Sequence, residues 1–413
     1  MTPTTEPGAA PARPEAFTEF VVKLHARCDL ACDYCYVYRP DDDSWRTRPR
    51  VPAPATVART AERIAEHLAT HDVPRADLVL HGGEPLLAGP AVLRSVVESV
   101  RAAAPGRRID VVVQTNGVRL TPAHLELFGE LGIGVGISLD GPAAVHDRHR
   151  PRRDGGREGH QAGSHAAVAR AVELLRTTAP DLFRGLLCVI DVDADPIAVY
   201  EALAAFEPPA IDLLLPHASW GRPPRRRPGR ETEYGDWLGS VFEHWYTRPR
   251  PAPTVRLFEE LMIGLLGGAS AVELVGLSPS AVVVVETDGA IEQVDALKGI
   301  APGAAATGLN VFDDSFDEAW ALPEFQARRL GAAGLCEECR SCPVHQVCGG
   351  GFYAHRHRPG PPTSPGSGFV DPFDNPSVYC ADLYRLIGLI ADRMRRTVGD
   401  AAHQPVGGSA RAS

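Results

Sequence analysis

The chain has 413 residues, 44% hydrophobic and 23% charged, with 42 basic against 52 acidic side chains and a formal charge of −10. That balance fits a globular protein with a large core or two to three domains, and it excludes a chain-wide basic footprint for nucleic acid. No apolar run approaches the ~20 residues needed to cross a bilayer, and the N-terminus lacks the basic-then-apolar pattern of a signal peptide, so the expected compartment is the cytoplasm.

Residues 1–18, rich in Pro, Ala and Thr, read as a disordered N-terminus. Beyond them strand-like and helix-like segments alternate. Short β-branched runs predict strands at 19–25, 77–81, 109–114, 133–139, 184–190 and 211–215. Segments 56–70, 91–103, 121–131, 165–177 and 196–206 carry helical spacing, as in Val57, Ala61, Ile64 and Leu68. A repeated β-α order implies a parallel sheet with helical crossovers. Six such units predict an α/β fold, a partial (β/α)6 TIM-like barrel over 19–220, with chemistry at the C-terminal strand ends.

The pattern breaks after His217. Residues 221–230 (GRPPRRRPGR) form a Pro/Arg-rich loop within a linking segment, 221–280, that includes a helical stretch over 233–268. Its arginines, Arg222, Arg225, Arg226, Arg227 and Arg230, read ordinarily as a solvated loop and functionally as a patch steering an acidic partner. A C-terminal domain over 281–398 opens with a hairpin, 281–293, turning at Asp288–Gly289. It ends with an amphipathic helix over 382–396, and 399–413 read as a flexible tail.

Nine cysteines are an odd number for a disulfide framework. They cluster, three at 28–35 and four at 336–348, which in a reducing compartment reads as metal or cluster ligation. Cys28, Cys32 and Cys35 form C-x-x-x-C-x-x-C just after the first strand. Three thiolates on a short loop can hold three irons of a [4Fe–4S] cube and leave the fourth open; a zinc site or unrelated thiols are the plainer readings. The next strands end in His81-Gly82-Gly83-Glu84-Pro85, Gln114-Thr115-Asn116-Gly117 and Ser138-Leu139-Asp140-Gly141, so polar groups gather where barrel chemistry occurs. Lysine occurs only at 23 and 298, both inside these chemistry-bearing segments or the later hairpin region.

Together and in this order the motifs resemble the radical SAM superfamily. The resemblance implies a [4Fe–4S] cluster on Cys28, Cys32 and Cys35, with S-adenosylmethionine (SAM) bound at its open iron. It places Gly82, Gly83 and Glu84 against the methionine amine, and Thr115, Asn116, Ser138 and Asp140 in the cofactor pocket. A flavodoxin- or ferredoxin-type electron donor is implied with it. The C-terminal run Cys336-x2-Cys339-x2-Cys342-x5-Cys348, with Cys380, resembles the SPASM extension of peptide-modifying radical SAM enzymes. Two positions of that pattern are occupied by Val294 and Phe352. The retained Cys339, Cys342, Cys348 and Cys380 imply one auxiliary [4Fe–4S] cluster; a structural zinc site using four of these Cys or His345 is the alternative. Cys336 reads as a buried thiol or a competing ligand, and Cys188 as a core thiol. Asp295 matches a position that carries a candidate base in sulfatase-maturing relatives. Lys298 could pair with it or with a substrate carboxylate; a plain surface Asp–Lys contact is the ordinary reading.

The segments KLHARCDLAC (23–32), LLPHASW (214–220), ETDG (286–289) and DNPSVYC (374–380) narrow the resemblance to FxsB-type, three-residue cyclophane-forming peptide maturases. Such an enzyme would act on a ribosomally made precursor peptide. It would join an aromatic ring to the β-carbon two residues later in a Phe-x-Ser-type motif, with His217 and Trp220 lining the peptide pocket. The chain has no HExxH, so it would be the short form of that family. Alternatives are formylglycine formation on Ser or Cys and thioether formation. A different class, a non-catalytic iron–sulfur or zinc sensor, would not cleave SAM.

Overall fold

The computed structural model describes residues 16–38, 42–153, 162–249, 251–360 and 371–402. The chain runs β1 (Glu19–His25), α1 (Pro54–Thr70), β2 (Arg75–Gly82), α2 (Pro90–Ala103), β3 (Arg108–Thr115), α3 (Pro122–Leu131), β4 (Ile133–Ser138), α4 (Ala143–His149), α5 (His165–Thr178), β5 (Phe183–Val189), α6 (Pro196–Ala204) and β6 (Ala210–Leu214). There follow α7 (Glu233–Thr247), β7 (Thr254–Val255), α8 (Arg256–Leu265), β8 (Val282–Val285), β9 (Ala290–Glu292) and β10 (Ala306–Asn310). Short helices α9 (Phe316–Ala321), α10 (Pro323–Ala327), α11 (Glu337–Ser341) and α12 (His345–Cys348) lead to α13 (Cys380–Ala402).

Strands β1 to β6 pair in parallel and in chain order, as the β-α alternation predicts. Each strand divides its side chains by the period of two. In β1, Phe20, Val22 and Leu24 are buried among the outer helices. Glu19 and Val21 line the barrel interior together with Val79 and His81 of β2 and Gln114 of β3. The β1–β2 register sets Lys23 directly opposite His81.

Three features differ from the sequence reading. The helical stretch predicted over 233–268 is two helices, α7 and α8. Pro249, Pro251 and Pro253 lie between them and lack the N–H a continuous helix needs. The last helix begins at Cys380 and runs to Ala402, past the expected start of the tail; residues 403–413 lie outside those described. Residues 1–15 of the expected disordered N-terminus also lie outside them, but Phe17 is fully buried. It packs edge-on against Trp320 and Phe325, and its N–H donates to His67 Nε2 at 2.8 Å.

The predicted hairpin forms, with Gly289 at φ +86° in its turn. Its first strand, β8, pairs in parallel with β1 and so extends the barrel sheet, with Val22 opposite Val285. This pairing carries the segment after β9, including Asp295, to the mouth of the barrel.

Candidate functional site

The thiol loop leaves β1 at His25 and is clamped by the GGE turn of β2. Gly83 N–H donates to His25 O at 2.8 Å and Glu84 N–H to Arg27 O at 3.0 Å. A Cβ on Gly83 would stand 2.4 Å from Arg27 O and 1.9 Å from Tyr38 Oη; on Gly82, at φ +151°, it would stand 2.6 Å from His25 O. Both glycines are therefore required by the close approach of the chain's own cluster loop.

The loop and the strand ends enclose a cavity of ≈ 180 Å³. Cys28, Cys32, Cys35, Gly82, Gly83, Glu84, Thr115, Asn116 and Ser138 all line it. Glu84 is wholly buried. Its carboxylate accepts from Leu86 N–H (3.0 Å), Thr115 O–H (2.7 Å) and Asn116 N–H (2.8 Å), tying the end of β2 to that of β3. Burial pushes its pKa up to about 7 against those bonds. Asn116 also donates to Asp29 at 2.9 Å, and Gln114 donates to Ser138 Oγ at 3.1 Å. Asp140 supports the wall from behind: it accepts from Tyr34 O–H and from Val189 N–H at 3.1 Å.

Arg150 was not singled out from sequence. It lines the cavity, is buried, donates to Tyr34 Oη at 2.8 Å, and keeps a buried Nε with no partner among the described residues. Nothing in its surrounding HRPRR run distinguishes it from a surface arginine. His149 was missed for the same reason. It bridges Asp33 of the thiol loop (2.9 Å) to Asp191 beyond β5 (3.0 Å), and those carboxylates, Asp191 first, raise its pKa to about 9.

A second cavity, ≈ 650 Å³, follows the barrel interior and shares Tyr36, His81, Gln114, Leu187 and His217 with the first. Asp295 lies in its wall, buried. Both lysines of the chain reach it: Lys23 pairs with Oδ2, and Lys298 with Oδ1 at 3.2 Å. Burial opposes ionisation, but the two ammonium groups overcome it and hold the carboxyl well below its usual range. Lys298 also pairs with Glu286 and with Glu292 (2.8 Å), and Arg48 pairs with both glutamates. Three buried acids thus face three bases. The ordinary surface reading of Asp295 and Lys298 does not hold, because both are buried.

His217 lines both cavities and a third, mostly apolar one of ≈ 250 Å³ walled by Leu213, Leu215, Leu257, Leu274, Phe352 and His355, with Asp212 and Glu273 also on its lining. Its ring meets Tyr36 edge-on with centroids 4.5 Å apart, and burial lowers its pKa to about 4. Trp220 is elsewhere. Its indole donates to Pro376 O at 2.8 Å beneath the Arg358 guanidinium, beside a separate cleft lined by Cys336 and Cys380.

The C-terminal thiols converge across α11, α12 and the start of α13. Cys339 is raised first by burial and then by its hydrogen bond to Cys336, with Cys380 and Cys348 close enough to act on it. Cys188 lies in the core. Val294 and Phe352 pack against Ala296, Leu297, Ala305 and Ala354, so apolar contacts occupy the place of the two absent cysteines.

Among the described residues no three cysteines bring their sulfurs within 4.8 Å of one another. Two other clusters, one of histidines with an acid and one of three acids, are internally satisfied. His67 uses both ring nitrogens, on Phe17 N–H and Asp317, and the Glu286–Glu292–Asp295 group is filled by lysine and arginine. The arginines of 221–230 mostly hold that loop down: Arg225 pairs with Asp193, Arg226 with Asp382, and Arg227 with Glu233.

The first loop of the parallel barrel carries three thiols on the lining of the ≈ 180 Å³ cavity at the strand ends. Residues 22–177 match the family model described as the Radical SAM superfamily, and the chain is an enzyme. Its cofactors are a [4Fe–4S] cluster and SAM.

The serine-type anaerobic sulfatase-maturating enzyme of Klebsiella aerogenes is 26% identical over 361 residues, covering 85% of this chain and 83% of the relative. A cysteine-type enzyme of Clostridium perfringens is 22% identical over 333 residues, covering 78% and 85%. Among solved structures, native anSMEcpe with bound AdoMet superposes with TM-score 0.73 at 19% identity, over 93% of this chain and 99% of that one. Streptococcus suis SuiB bound to precursor peptide SuiA gives 0.55 at 14%, over 82% and 72%. These likenesses establish the partial-barrel α/β fold with its C-terminal extension. No helix among the described residues is long and apolar enough to cross a membrane.

Proposed function

We propose that the enzyme modifies a ribosomally made precursor peptide, joining an aromatic ring to the β-carbon of the residue two positions later in a Phe-x-Ser-type motif. The observation that carries this reading is the mostly apolar ≈ 250 Å³ cavity, which meets the barrel and cofactor cavities at His217. It suits an aromatic side chain held beside the site of hydrogen abstraction. Peptide substrates are supported by the similar proteins, two of which are described as sulfatase-maturating and one as bound to a precursor peptide.

Cys28, Cys32 and Cys35 would hold the cluster. Gly82, Gly83, Glu84, Thr115, Asn116 and Ser138 would form the SAM pocket, with Asp140 behind it. Cys339, Cys342, Cys348 and Cys380 would hold one auxiliary [4Fe–4S] cluster, and a flavodoxin- or ferredoxin-type protein would supply electrons. When bound, cluster and SAM supply hydrogen-atom abstraction, the chemistry that opens an unactivated C–H bond.

Asp295 is the proton acceptor in this reading, with Lys298 holding its Oδ1. Held far below the usual carboxylate range by two lysines, it is a weak base. It can take a proton from a strongly acidic carbon, such as a ring carbon that has bonded to the β-carbon and given up an electron, for which the auxiliary cluster would be the acceptor.

Formylglycine formation is the second reading, favoured by the 26% identity to a serine-type maturase over most of both chains. Incubating the reconstituted enzyme, SAM and a reductant with a Phe-x-Ser peptide and with a sulfatase-type peptide tests the choice. The proposal expects 5′-deoxyadenosine and a carbon–carbon crosslink from the first only; turnover of the second alone overturns it.

A further inference from the structure

We propose that His81 is a hydrogen-bond donor that seats a backbone carbonyl of the substrate peptide, and that Lys23 is the positioning residue that fixes its tautomer. The inference rests on the peptide-modifying reading of the site.

Lys23 and His81 are neighbours by register, on adjacent parallel strands with both side chains inside the barrel. Lys23 Nζ stands 3.2 Å from His81 Nδ1 and is ion-paired with Asp295 on its other side. An ammonium has three donors and no acceptor, so the imidazole nitrogen facing it must accept. A neutral ring that accepts at Nδ1 carries its proton at Nε2. Burial and the adjacent ammonium lower the His81 pKa to about 4, consistent with a neutral ring.

Among the described residues Lys23 is the only hydrogen-bond partner of His81. The ring is not sealed in: its side chain is 23% exposed, and it lines both the cofactor cavity and the barrel cavity. The structure therefore presents a fixed N–H, with no acceptor among the described residues, at the junction of the two cavities. A peptide backbone supplies one carbonyl acceptor per residue whatever its sequence. Holding one there would set the distance between the cofactor and the reacting β-carbon.

Lys23 cannot be exchanged for a neutral residue without losing this control. An arginine, also donor-only, would preserve it; a methionine would leave both tautomers open and remove one of the two cations from Asp295.

The test uses reconstituted, SAM-loaded enzyme and the Phe-x-Ser peptide, with peptide affinity, SAM affinity and product formation read separately. His81→Phe should weaken peptide binding about tenfold, the loss of one hydrogen bond to a buried group, and leave SAM affinity unchanged. His81→Gln, whose amide reaches the Nε2 position, should restore binding to within a few-fold. Lys23→Arg should bind peptide like the parent, and Lys23→Met like His81→Phe. Iron content and circular dichroism check that each variant is folded. If His81→Gln binds no better than His81→Phe, or if both bind like the parent, the proposal is overturned. A parallel loss of SAM affinity would assign the N–H to the cofactor and overturn it equally. A parent enzyme that binds the peptide without crosslinking it would instead count against the proposed reaction, not against His81.

Discussion

Asp295 shows how far a residue's chemistry depends on its partners. Two buried ammonium groups share its carboxylate, and removing that charge strands them. Asp295→Asn is expected to lower product formation at least a hundredfold while 5′-deoxyadenosine release without peptide persists, as chromatography of both products would show. The variant should also lose about 3–5 kcal/mol of stability, the usual cost of breaking a buried ion pair. His149 makes a pH prediction. Its pKa is raised in the folded state, so its contribution is fully present below the unfolded value near ~6.5 and fades as pH rises through about 9. The fall in Tm between those limits should be smaller in His149→Gln than in the parent. Legibility at this scale was uneven. The thiol triplet is local in sequence and its spacing carries its chemistry. The Lys23–Asp295 pair spans 272 positions and exists only because β8 pairs beside β1, which no local pattern encodes.

Individual elements were legible where a period was clean. The six barrel strands lie within a residue or two of their β-branched runs, because alternation between helices and barrel interior imposes that composition. The split of α7 from α8 was legible in principle from three alternating prolines, which a 3.6-residue periodicity search passes over. His217 and Trp220, three residues apart, were expected in one pocket; the chain turns between them through the Ser219–Arg222 bridge, and they face different cavities. The GGE turn yields an element-scale prediction. Gly83→Ala forces a methyl against Arg27 O and Tyr38. The clash should cost about 1–3 kcal/mol and loosen the thiol loop, lowering both Tm and the iron retained after reconstitution.

For the whole molecule, the C-terminal region completes the barrel rather than standing apart from it. β8 and β9 extend the sheet, Asp295 and Lys298 enter the barrel mouth, and Phe352 and His355 wall the mostly apolar cavity. Val294 and Phe352, where the resemblance expects two cysteines, pack against Ala296, Leu297, Ala305 and Ala354. The account expects about eight irons per chain, four in each of two cubes. Iron analysis of a Cys28/Cys32/Cys35→Ala variant should return about four, with SAM cleavage abolished. The central claim is ring crosslinking, and mass alone does not isolate it, since serine oxidised to formylglycine also loses two hydrogens. A precursor carrying a ring-deuterated aromatic residue decides it. The account predicts a product that has lost one ring deuterium and one β-hydrogen, with a ring-to-β-carbon bond seen by NMR. A product that has lost two hydrogens but kept every ring deuterium would contradict it.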